Sequence, residues 1–147
     1  MTRALEKLTV ARALELLDQA VAERGADFVY PEDWKVVVPR DGAKDTPMCV
    51  YVHDGQPRCI VGQVLVKHGL KPAKLAFYEG HGVTSVLKAL GDSGVLSFEH
   101  GVLTLLRTAQ DLQDDGCSWG GAVAKAREAL YDLRSELNPN ETEVDRG

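Results

Sequence analysis

Residues 97–137 read SFEHGVLTLLRTAQDLQDDGCSWGGAVAKAREALYDLRSEL, and two apolar stripes at helical spacing run through them. In the first, Val102, Leu105, Leu106, Ala109 and Leu112 recur every three or four residues. Ser97 is the expected N-cap of this helix and Gly116 its expected stop. In the second, Ser118 is the expected cap of a helix carrying Ala122, Ala126, Ala129, Leu133 and Leu137 on one face, with Leu130 at its edge. Alanines in its first half let such a helix approach a neighbour closely. Two amphipathic helices joined by so short a turn predict an antiparallel helical hairpin.

Outward from the hairpin, the N-terminal part predicts one more helix. Val10, Leu14, Leu17 and Val21 make its stripe, Thr9 its cap and Gly25 its end. The pattern then turns to short β-branched and aromatic runs, Phe28–Tyr30, Val36–Val38 and Cys49–Val52, punctuated by Pro31, Pro39 and Asp54-Gly55. These predict two or three antiparallel strands, with a mobile polar loop from Pro39 to Pro47. Pro57 suits the first position of a helix whose stripe is Ile60, Val61, Val64 and Leu65, with Lys67 and His68 in its last turn and Gly69 beyond. Two short helices are expected near 72–79 and 84–90, closed by Gly80 and Gly91. The fold expected is α+β and mainly α: an N-terminal helix, a small antiparallel β element, and a helical C-terminal half ending in the hairpin. Residues 1–137 are expected to form a single globular domain and 138–147 a flexible tail.

The 147 residues suffice for one domain that buries roughly 68–70% of its unfolded surface, without help from metal or disulfide. A formal net charge of −5 disfavours general affinity for phosphate backbones. Three cysteines, Cys49, Cys59 and Cys117, are too few and too odd for a disulfide framework and point to a reducing compartment. Residues 1–7 carry no apolar signal-peptide core, and no apolar run nears the roughly 20 residues that span a bilayer. A cytoplasmic protein without membrane contact is expected.

Four groupings invite a chemical reading. Cys49, His53 and Cys59, with Cys117, are zinc-ligand types, but Cys-x3-His-x5-Cys lacks a paired knuckle, so no metal or other cofactor is expected. Cys59 beside Arg58 at a helix start could be a thiolate with His53 as base, the basis of a thiol- or metal-dependent enzyme as one alternative. Inert packing is the simpler account of both cysteines, and no catalytic residue is assigned. Asp111, Asp114 and Asp115 place negative charge on a helix's last turn, against its dipole, and Trp119 stands beside them. Because positions that break a local rule are enriched in function, this corner is the expected partner-binding surface. Lastly, Arg58 to Tyr78 contains Arg58, Lys67, Lys71 and Lys74 and no acid, an alternative nucleic-acid surface on which Phe77 or Tyr78 could stack. The terminal hairpin itself has too many acids for a DNA-reading helix pair. Dinucleotide, Walker, nucleophile-elbow and zincin motifs are absent from the sequence.

Cys49-Val50-Tyr51 leading to Pro57-Arg58-Cys59-Ile60-Val61-Gly62, and Ala109–Gly116 followed by Trp119-Gly120 and Ala122, together resemble a recurrent pattern in small uncharacterised proteins of actinobacteria and their phages. The resemblance covers about half of the chain. It implies a shared fold and a phage origin, and it implies no activity. Small acidic phage proteins without catalytic motifs act by class on host proteins or on copies of themselves. The function expected is therefore protein–protein interaction, with a protein partner or homo-oligomer.

Overall fold

Helix α1 (Val10–Arg24) begins where Thr9, in extended backbone, accepts the Arg12 N–H on its hydroxyl at 3.1 Å, and Gly25 ends it at φ 99°. This is a computed structural model, and it describes residues 5–37 and 47–137. The buried face of α1 is Val10, Ala13, Leu16, Leu17 and Ala20, so it is turned from the expected stripe, leaving Leu14 and Val21 at its flanks. The reason is that α1 is covered by α2, α5 and α6 at once, and the alanines lie where helices approach closely.

Phe28–Tyr30, expected as a strand, forms none. Its backbone instead meets the start of the last helix: Phe28 and Ala26 carbonyls accept the N–H groups of Trp119 and Gly120 at 2.8 and 2.9 Å. A single 3-10 turn (Glu32–Trp34) follows. Strands β1 (Val36–Val37) and β2 (Pro47–Met48) pair antiparallel, and so do β3 (Val52–His53) and β4 (Gln56–Pro57). Asp54 and Gly55, at φ 52° and 76°, form the two-residue turn between the latter pair, the left-handed geometry that Asp-Gly supplies. Pro57 is therefore a strand residue opposite Val52 and not a helix start.

Helix α2 (Ile60–Lys67) is capped by Cys59 and stopped before Gly69, at φ 118°. Helices α3 (Pro72–Ala76) and α4 (Val83–Asp92) follow. Gly91 lies inside α4, and the turn beyond it falls to Gly94 at φ 75°. Helix α5 (Val102–Asp114) starts after Gly101, not at Ser97. Ser97 is diverted because its carbonyl accepts the Leu8 N–H at 2.9 Å in a parallel bridge, while Glu99 Oε1 accepts the Val10 N–H at 2.9 Å. Helix α6 (Trp119–Leu137) is capped as expected, with the Gly121 N–H on Ser118 Oγ at 3.2 Å. The fold is α+β and mainly α, with an N-terminal helix and a helical C-terminal half. One apolar cluster runs from Leu8 to Leu130, with α5 against α6 and α1 lying across them. Val38, residues 39–46 of the expected loop and the expected tail at 138–147 lie outside the described residues. Among the described residues no helix is long and apolar enough to cross a membrane.

Candidate functional site

The segments Cys49–Gly62 and Ala109–Gly116 meet at the N-terminus of α2. A helix start leaves its first N–H groups without intrahelical acceptors. Here the Ile60 N–H donates to Gln113 Oε1 at 2.9 Å, the Val61 N–H to Gln110 Oε1 at 3.2 Å, and the Gly62 N–H to Cys59 Sγ at 3.3 Å. Gln110 and Gln113 reach in from α5 and are buried. Their amide nitrogens both donate to Asp114 Oδ1, at 3.4 and 2.7 Å, and the Cys49 thiol bonds the same carboxylate. Gly62 is required, since a Cβ there would come within 2.4 Å of the Tyr51 carbonyl oxygen. Behind this, the Glu79 carboxylate accepts the Tyr51 and Val52 N–H groups at 2.7 and 3.0 Å, and the Tyr51 hydroxyl donates to the His81 carbonyl at 2.6 Å.

This arrangement explains the acids at the end of α5. Asp114 opposes the dipole of its own helix, but through the two glutamines it faces the positive end of α2. Asp114 is exposed as a residue, yet its carboxylate sits over Cys49 and the glutamines. Loss of water there raises its pKa, against the hydrogen bonds from Cys49 and Gln113 that lower it. Asp111 and Asp115 are exposed. Trp119 is fully buried, edge-on to Phe28 at 4.9 Å. The expected contact surface of Asp111, Asp114, Asp115 and Trp119 is thus corrected: its anchor belongs to the core and Asp114 to the α2 cap.

The thiol site fares no better. Cys59 is fully buried, and burial pushes its thiol well above the usual value despite the opposing Gly62 N–H. Desolvation outweighs the helix dipole. Cys49 is pushed up to about 12, chiefly by burial and then by Asp114. His53 is exposed and pairs with its neighbour Asp54 at 3.3 Å. Among the described residues no group of three or more His, Cys, Asp or Glu could hold a metal ion.

The four cations do not share one face. Arg58 lies over the Trp34 ring at 4.4 Å, and Lys67 pairs with Glu23 at 2.5 Å. Lys71 and Lys74 are exposed beside Phe77, which is 81% exposed. In this short helical segment the Lys74 N–H reaches the Lys71 carbonyl and the Tyr78 N–H that of Leu75. Lys71, Lys74 and Phe77, spaced three residues apart, are all exposed, while Leu75 is fully buried. Periodicity could have singled out Phe77, since Leu75 and Tyr78 take the inward positions. Nothing in the pattern marked Gln110, Gln113 or Glu79, whose roles depend on distant backbone. A shallow, mostly apolar groove of about 290 Å³ between α4 and α5 is lined by Leu87, Gly91, Phe98 and Leu103, with Thr84, Lys88 and Asp92. Comparison with protein-family models, curated proteins and solved structures finds no match to this chain.

Proposed function

We propose that the protein acts by binding another protein, a host factor or a second copy of itself, with no catalysis of its own. Phe77 carries this reading: a phenylalanine 81% exposed at the end of α3, close in the chain to the exposed Lys71 and Lys74. An aromatic side chain with a cationic rim suits a partner's apolar pocket edged by acids. The raised pKa values of the half-buried Cys49 and fully buried Cys59 thiols support the non-catalytic half of the reading. A phage origin and a cytoplasmic site of action belong to the same proposal and rest on the resemblance described above.

The nucleic-acid reading keeps one specific observation in its favour, that Phe77 is 81% exposed, with two exposed lysines close in the chain. Lys67, being paired with Glu23, is lost to it. Affinity capture of the tagged chain from host lysate, with and without nuclease and with Phe77→Ala in parallel, separates the two. The expected result is a dominant nuclease-resistant protein partner that the variant loses. A nuclease-sensitive set would promote the second reading, and a partner retained by Phe77→Ala would remove the surface.

A further inference from the structure

Arg24 and Arg58 are distant in sequence and come together on one ring. Arg24 closes α1, and Arg58 immediately precedes the cap of α2. The Cζ of Arg24 lies 5.1 Å from the Trp34 centroid and that of Arg58 4.4 Å, so the two charges can be no farther apart than those distances combined. Arg24 also lies 5.4 Å from the Phe28 ring. Among the described residues neither guanidinium has a carboxylate or other hydrogen-bond partner. Of the acids close along the chain, Glu23 holds Lys67 and Glu32 holds Lys35 at 2.8 Å, while Asp27 and Asp33 are exposed. Arg24 is exposed and Arg58 and Trp34 are half-buried, so solvent reaches the cluster.

We propose that Arg24 and Arg58, seated on Trp34, form a binding site for a phosphate monoester. Contact with the ring restrains each guanidinium without using any of its N–H donors, which are the groups that grip an oxyanion with paired hydrogen bonds. Two fixed positive charges match a monoester dianion, whereas a phosphodiester carries a single negative charge. The site is independent of the Phe77 surface, so its failure leaves the protein-binding reading standing.

The test is a titration of the whole chain with O-phosphoserine, followed by NMR of the arginine Nε–H and tryptophan indole signals, against chloride at matched ionic strength. Arg24, Arg58 and Trp34 should shift together and saturate with one dissociation constant, while Arg12 and Arg107 stay in place. Arg24→Gln and Arg58→Gln should each weaken binding roughly tenfold or more, and dimethyl phosphate should bind more weakly by a similar factor. Shifts that never saturate, that chloride reproduces, or that move all arginines alike would overturn the site. Equal affinity for the diester would overturn its assignment to a dianion. The wild-type titration decides the matter even where a variant does not fold.

Discussion

At the scale of single residues, small differences in surroundings reverse what a residue type suggests. Cys59 stands at a helix start beside an arginine, yet full burial keeps it a thiol that serves as a cap. Alkylation of the folded protein should therefore spare Cys59, and mass mapping that finds it among the first thiols modified would refute its burial. Gly62 presses on the Tyr51 carbonyl, so Gly62→Ala should cost about 1–3 kcal/mol in chemical denaturation although alanine favours helix. Phe77 is 81% exposed and meets the Tyr78 ring edge-on at 5.5 Å, so Phe77→Ala should stay within about 0.5 kcal/mol of wild type. Asp114 titrates in the opposite sense to a salt-bridged acid. Its native pKa is raised, so the stability it contributes is full below the ordinary carboxyl value and is lost as pH rises through the native one. Wild type should gain on Asp114→Asn as pH falls from neutrality toward that range, by a modest amount because the residue is partly in water. A difference that stays flat across the range would show that the carboxylate is not desolvated.

At the scale of elements, α2 is the clearest case of a helix completed from outside. Its eight residues are too few to hold together in isolation, and three side chains take up its first N–H groups. Gln113→Leu fills similar space but strands the buried Ile60 N–H, and should cost about 1–3 kcal/mol. Coupling between Gln113 and Asp114 in a double-mutant cycle would locate the network. Additivity would show that each residue acts alone. Helix α3 is the counterpart, short and anchored by Leu75, with Lys71, Lys74 and Phe77 exposed.

At the scale of the whole molecule, Trp119 joins the parts. It starts α6, takes the Phe28 carbonyl on its N–H, and packs edge-on to the Phe28 ring. Its indole N–H is buried without an acceptor among the described residues, so packing rather than polarity holds the side chain in place. Trp119→Ala should cost about 3–5 kcal/mol, and Trp119→Phe less, because phenylalanine keeps much of the contact and removes an unsatisfied donor. A Trp119→Ala protein with undiminished thermal stability would contradict its place in the core. Gly120, whose Cβ would fall 2.8 Å from the Ala26 carbonyl oxygen, shows how closely α6 meets the chain leaving α1.

The sequence by itself determined what local physics controls. The hairpin α5–α6, the cap at Thr9, the stop at Gly25, the Asp54-Gly55 turn and the mainly helical class follow from periodicity, capping and turn chemistry, which act over a few residues. Only the tertiary structure decided the rest. Ser97 and Phe28–Tyr30 depart from their local reading because distant backbone claims their carbonyls. Pro57 is a strand residue because Val52 pairs with it. Asp114 and Trp119 carry the residue types of a contact surface, but one is drawn onto the α2 cap and the other into the core. Arg24 and Arg58, 34 residues apart, both reach the Trp34 ring, which belongs to a third segment. Which neighbour takes a side chain's hydrogen bonds, and how much water it loses, are set by contacts across tens of residues that no local pattern records.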